Sequence, residues 1–317
     1  MSQPAVRQPR LTRHDSFFSD VRRNPFSYLL LLPAMAYVFI FGYMTYPYIV
    51  IAFKKFNYQL GPWASPWVGL DNFSFFFKSS VAARVIWNTL YLNILFILTG
   101  TIMSLLLAVM LNEIRSKAFV RTTQTMMLLP YYLSWVVVSY MLMAVFSNKN
   151  GMANLILKFF GAKGIAWYTR ADMWPGILVM MRMWKGAGMN AVIFLAAITG
   201  IDESIYEAAV IDGATRFQRI KHVTLPLVMP TVCIMTLLSV GKIMYGDFGM
   251  VYALIGDNGV LYPTTDIIDT YVFRVLRQTG DPSQAMAISL FQSVIGFVMV
   301  FGSNQLVRRF FGDGALF

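Results

Sequence analysis

The sequence predicts an all-α membrane protein with about six transmembrane helices, and three observations carry that prediction. Only 13% of the 317 residues are charged and 57% are hydrophobic, against about 25% charged in ordinary soluble domains. Apolar runs long enough to cross ~30 Å of hydrocarbon at ~1.5 Å per residue recur along the chain. None alternates apolar and polar residues over about ten positions as membrane-barrel strands do. Only helices satisfy their own backbone groups in lipid over such runs. An ordinary soluble enzyme core is excluded.

The elements follow in order. Residues 1–26 are polar and basic, with Arg7, Arg10, Arg13, Arg22 and Arg23, and read as a cytoplasmic tail. The first span is 27–53. Ala34-Met35-Ala36 within it mimics a peptidase site, but the apolar run continues to Phe53, so the helix reads as uncleaved. Further spans are placed at 86–112, 122–146, 174–198, 224–246 and 285–307. Residues 54–85 carry Trp63, Trp67, Phe73, Phe75, Phe76 and Phe77, a composition suited to anchoring at the headgroup level. Residues 147–173 hold a turn signal, Asn148-Lys149-Asn150-Gly151, and then a short amphipathic helix at Met152–Phe160. Four segments result: the tail 1–26, the first helix with its external loop 27–85, a transmembrane core 86–307, and a C-terminal tail 308–317. Arg115, Lys117, Arg121, Arg216, Arg219, Lys221, Arg308 and Arg309 join the five tail arginines on one side, 13 basic residues against 10 in the longer external loops, a modest bias that sets the N-terminus inside; six spans then put both termini in the cytoplasm.

The net charge of +11 therefore reads as membrane topology rather than nucleic-acid binding. No basic helix, finger or RNA-recognition pattern accompanies it. Cys233, the single cysteine, lies in an apolar run and reads as a small buried hydrophobe. With His14 in the tail and His222 at a loop end, no metal site, cofactor site or catalytic constellation is assembled. His222 reads as a helix-end cation. Gly241-Lys242 lacks the rest of a nucleotide-binding P-loop.

The polar loop 199–226 interrupts the apolar pattern. Ser204 with Glu207 three residues later fits a capping box. Ile205, Ala208, Ala209 and Asp212 then fall near one helical face, where the two alanines let another surface approach closely. Gly213 permits positive φ and suits a sharp turn between two short helices. Arg216, Arg219 and Lys221 make the second helix basic, and Pro226 suits the first turn of the next span. The plain alternative is an interhelical loop with a glycine break.

The spacing Glu207-Ala208-Ala209, three residues, Gly213, nine residues, Val223, then Leu225-Pro226 resembles the EAA loop of ABC importer permeases. Ile201-Asp202-Glu203 matches the usual lead-in, and Val223 stands where the family more often has Ile. Gly246-Asp247-Phe248-Gly249 and Leu261-Tyr262-Pro263-Thr264-Thr265 resemble the oligosaccharide, polysaccharide and alginate branch of the maltose-permease-like superfamily. The resemblance spans roughly residues 28–307. It implies a type I importer permease fold with a cytoplasmic coupling helix, in a bacterial inner membrane. It also implies a second permease subunit as a heterodimer partner, two ABC ATPase subunits, an extracellular solute-binding protein and a saccharide substrate. Glu207, Ala208, Ala209, Asp212, Gly213 and Arg216 would then couple the permease to the ATPases, and closure of the ATPase dimer would switch it between inward- and outward-open states. An ATP-independent secondary transporter or channel is the alternative; it explains the spans but not the loop spacing.

Charged residues inside apolar runs complete the pattern. Arg182 and Lys185 lie in one span and Lys242 in another. A charge at mid-span costs at least ~2.5 kcal/mol and faces protein or water. With Trp184, Asn190, Tyr245 and Asp247 they form either a polar substrate pathway or a set of structural pairs.

Overall fold

A computed structural model of the protein describes residues 17–310. Arg7, Arg10, Arg13 and His14 of the basic tail, and residues 311–317, lie outside the described residues. The chain divides into two compact units, Met1–Val50 and Ile51–Phe317.

The first unit holds α1 (Phe17–Arg23), α2 (Pro25–Phe41) and most of a 3-10 segment, Tyr43–Phe53. Asp20 ties the helices together, its carboxylate accepting from Asn24 Nδ2 at 2.9 Å and from the Tyr28 hydroxyl at 2.6 Å. Pro25 opens α2 at a position where the missing N–H has no intrahelical partner anyway. No α2 side chain is buried, and most of its apolar side chains are exposed, with Tyr28 and Ala36 half-buried. The expected span 27–53 is one helical stretch, Pro25–Phe53, that passes from α-helix to 3-10 turns after Phe41, with Pro47 inside the 3-10 part.

The second unit runs α3 (Gly61–Ala64), α4 (Asp71–Lys78), α5 (Ser80–Asn112), α6 (Lys117–Tyr132), α7 (Trp135–Phe146), α8 (Met152–Phe159), α9 (Trp174–Thr199), α10 (Glu203–Ile211), α11 (Arg216–Arg219), α12 (Leu225–Val240), α13 (Phe248–Ile255), α14 (Tyr262–Thr265), α15 (Ile268–Thr279) and α16 (Pro282–Phe310). No strand occurs among the described residues; Lys54 and Trp67 form one isolated bridge. Among the described residues, five helical stretches are long and apolar enough to cross a membrane, and α6 with α7 as a bent pair makes six.

Three cores hold this unit. Trp174, Leu178, Met250 and Val138 join α9, α13 and α7. Phe76, Tyr271, Val275 and Ile288 join α4, α15 and α16. Ala108, Phe194, Ile198 and Val228 join the far ends of α5 and α9 to α12. Phe76 is therefore a core residue at 1% exposure, not an interfacial anchor, while Trp63, Trp67, Phe75 and Phe77 are exposed.

The expected span 122–146 is two helices, bent by 96°. Pro130 stands near the end of α6, Leu133 is extended, and Ser134 caps α7 by accepting from Val137 N at 3.3 Å. The expected span 224–246 is displaced toward the N-terminus. A continuous helical path runs from Arg216 through a π turn, Ile220–Thr224, to Val240. Pro226, which has no N–H for the carbonyl four residues back, follows that widened turn directly. Lys242 and Tyr245 lie in the turn beyond α12.

Helix α9 meets α6 at Gly188, where an added Cβ would collide with the Met127 carbonyl oxygen. Gly188→Leu is expected to cost about 1–3 kcal/mol through forced separation of the two helices. Thermal unfolding in detergent checks this, and an unchanged midpoint would remove the close approach as a determinant.

A buried polar knot fastens α14 and α15 to α5. The fully buried Asp266 carboxylate pairs with Arg274 at 2.6 Å and lies 4.0 Å from Arg84. It also accepts from Thr270 Oγ1 at 2.9 Å. Asn88 Nδ2 of α5 donates to the Asp266 and Pro263 carbonyls at 3.1 and 3.2 Å, and the Arg274 guanidinium stacks 4.2 Å from the Tyr262 ring centre.

Candidate functional site

The coupling segment is built locally, one cap at a time. Asp202, not Ser204, caps α10: its carboxylate accepts from Ser204 N at 2.9 Å. An acidic side chain at a helix start also complements the helix dipole, and the bond from Ser204 holds the Asp202 carboxyl below its ordinary range. Ser204 sits inside the first turn. At the other end Ala214 N donates back to the Ala209 carbonyl at 2.9 Å, and Gly213 turns the chain with φ +78°. A reciprocal cap then starts α11: Thr215 N donates to Gln218 Oε1 at 2.8 Å, and Gln218 N to Thr215 Oγ1 at 3.4 Å. The Tyr206 hydroxyl, 3.0 Å from Thr224 Oγ1, clips α10 onto the π turn.

No residue of α10 is buried. Glu207, Ala208, Asp212, Gly213 and Arg216 are exposed, and Ala209 is half-buried. Ile211 and Phe217, which the sequence reading passes over, are 85% and 72% exposed on either side of the Gly213 turn.

The second cluster lies where α9 passes the α6–α7 break. Arg182 Nη1 pairs with Asp247 Oδ2. The other Asp247 oxygen caps α13, accepting from Met250 N at 3.0 Å. Lys185 Nζ donates to the Tyr131 carbonyl at 2.7 Å, near the end of α6. It also lies 5.3 and 5.2 Å from the ring centres of Tyr131 and Trp135. A cation thus satisfies a carbonyl exposed by the bend. Behind Asp247, the Asp269 carboxylate accepts from Gly246 N at 2.7 Å and from Gln292 Nε2 at 3.5 Å, and burial pushes the Asp269 carboxyl up. The Tyr245 hydroxyl lies 2.6 Å from Ser293 Oγ of α16, and Asn93 Nδ2 of α5 donates to the Ile243 carbonyl at 2.9 Å.

The structure therefore brings together Arg182, Lys185 and Asp247, with Tyr245 in the adjoining turn. Trp184 turns away and lines an apolar cavity of about 520 Å³ with Met103, Met126, Met127, Met180 and Met183. Two residues along a helix is a rotation of about 200°, so Arg182 and Trp184 cannot share a face. Asn190 takes no part in the hydrogen bonds of the cluster, and Lys242 is exposed beyond the end of α12. Tyr131, Trp135, Asp269 and Gln292 were missed. Pro130 followed by Ser134 is the signal that could have exposed the break, and with it Tyr131 and Trp135.

Residues 100–312 match the family described as "Binding-protein-dependent transport system inner membrane component". The chain is 34% identical over 299 residues to Protein LplB of Bacillus subtilis, covering 94% of this chain and 93% of that protein. It is 32% identical over 292 residues to the polygalacturonan/rhamnogalacturonan transport system permease protein YteP of the same organism, covering 92% and 90%. A chain in the crystal structure of a bacterial ABC transporter involved in the import of the acidic polysaccharide alginate matches with a TM-score of 0.84 at 33% identity, over 92% of this chain and 98% of that one. By these matches and its all-α fold, the chain belongs to the binding-protein-dependent inner membrane components of ABC transporters, and is a transport permease subunit.

Proposed function

We propose that this permease imports an acidic oligo- or polysaccharide, powered by two separate ATPase subunits that dock on the segment Asp202–Thr224. The carrying observation is the exposed helix–turn–helix in which α10 buries nothing while Ile211 and Phe217 stand open on both sides of Gly213. Two large apolar side chains left open on a short polar segment suit a face that a partner protein covers. Glu207, Asp212 and Arg216 set the charge of that face, Ala208 and Ala209 allow close approach, and Gly213 fixes the angle between its two arms. With this segment on the cytoplasmic side, both termini are cytoplasmic. A second permease completes the pathway and a solute-binding protein presents the sugar outside. The saccharide class rests on the relatives: YteP is named for polygalacturonan and rhamnogalacturonan transport, and the structural match belongs to an importer of alginate.

Glu207→Lys and Ile211→Asp are expected to insert normally yet to lower both ATPase co-purification and saccharide-stimulated ATP hydrolysis roughly tenfold, the equivalent of ~1.4 kcal/mol of docking. Reconstitution with the cognate subunits and a panel of neutral and acidic oligosaccharides reads this out. Uptake by the permease without any ATPase would sink the reading.

A further inference from the structure

Arg182 and Lys185 lie one helical turn apart, on one face of α9. Asp247 is the carboxylate that pairs with Arg182, and it is already committed to the start of α13 through Met250 N. Asp269 is turned to Gly246 N and Gln292 instead. Lys185 has a backbone carbonyl and two aromatic faces as partners, so ammonium protons remain for another acceptor. The Arg182 side chain is 46% exposed, and a guanidinium carries five donors in a fork that fits a carboxylate. The Lys185 ammonium lies over the Tyr131 and Trp135 rings; Trp135 is half-buried against the core, while Tyr131 is 45% exposed and has ring surface left for the C–H face of a pyranose. Two cations, an exchangeable counter-ion and two rings therefore meet at the bend between α6 and α7.

We propose that Arg182 and Lys185 are the specificity-determining pair for uronate carboxylates of the transported saccharide, and that Asp247 is the internal counter-ion which the substrate carboxylate displaces from Arg182. This rests on the saccharide-import reading above. The exchange replaces one Arg–carboxylate pair by another, so the charge on Arg182 stays compensated throughout. Released from Arg182, Asp247 remains on the α13 cap, which links occupancy of the site to the start of that helix.

The test uses the assembled importer in proteoliposomes with an oligouronate and its methyl ester, a neutral form of the same sugar. Each variant is compared with wild type for each sugar separately, because the solute-binding protein sees both. Arg182→Gln and Lys185→Gln are expected to raise KM for the oligouronate roughly tenfold while changing that for the ester less than about twofold. Arg182→Lys should restore most of the oligouronate KM, and Asp247→Asn, which keeps a capping oxygen but removes the competing charge, should lower it severalfold. Equal losses for acid and ester, or an unchanged oligouronate KM in both Gln variants, overturn the proposal. Co-purification of the ATPases with each variant reports assembly, so a misfolded Arg182 variant leaves Lys185→Gln and Asp247→Asn to decide. If wild-type ATPase responds to no saccharide at all, the import reading itself fails, and this is a separate outcome.

Discussion

Replacing Gly213 by valine is expected to lower substrate uptake more than roughly tenfold while leaving the chain folded and inserted. Gly213 holds φ +78° with nothing within 4 Å of where a Cβ would stand, so the penalty is conformational rather than steric crowding. A left-handed conformation costs an L-residue about 1–2 kcal/mol, and a β-branched side chain resists it most. The turn relaxes by changing the angle between α10 and α11, which moves Ile211 relative to Phe217. The packed cores are untouched, because neither short helix contributes a buried residue. Gly213→Asn, which tolerates positive φ, should retain much of the activity. Uptake and thermal unfolding measured together check the prediction; wild-type uptake by the valine variant would exclude the turn angle as a determinant.

The second large effect is on stability. Asp266→Leu is expected to cost about 3–5 kcal/mol, because it strands Arg274, whose side chain is only 17% exposed, without its counter-ion. Against a total folding stability of about 5–15 kcal/mol that loss is severe. Thr270 and Arg84 lose a partner in the same step. Removing both charges, as Asp266→Leu with Arg274→Leu, should recover much of the loss, since a buried pair exchanged for apolar residues is often neutral. Thermal unfolding in detergent decides. A single variant as stable as wild type would mean that Arg274 finds water once Asp266 is gone.

How much of this was legible in the sequence depended on the range of the interaction. Span 174–198 was read almost to the residue against Trp174–Thr199, because Pro175 and Gly200 punctuate it. The Gly213 turn was legible for the same reason. The 96° bend inside span 122–146 was not legible, because Leu133 is itself apolar and Ser134 alone barely lowers the average hydropathy, so the bend left its trace only in Pro130 and a serine cap. The Asp202 cap competed with an equally good local pattern at Ser204 and Glu207. Arg182 and Lys185 were identified as unusual by their cost in an apolar run, but nothing local names Asp247, 65 residues away, as the partner. The knot of Asn88 and Asp266 spans 178 residues and was invisible to any periodicity. Trp184 was grouped with Arg182 by adjacency in sequence, where the helical rotation between them should have decided.

The unbroken helical path from Arg216 to Val240 has a mechanical meaning. At ~1.5 Å per residue its 25 residues make a rod of about 37 Å. A swing of about 10° about one end carries the other through about 6 Å, more than one helical turn. The loop end of this rod carries Phe217, and Tyr206 straps α10 to it at Thr224. Its far end feeds, seven residues later, into Asp247. The turn at Gly213 and the approach to Asp247 thus lie at the two ends of one helical path, with Ile243 and Met244 between Val240 and Asp247 packed into the core of α4, α15 and α16. A swing of this path reaches Asp247 only through Ile243 and Met244, whose carbonyls are held by Asn93 and Gln292.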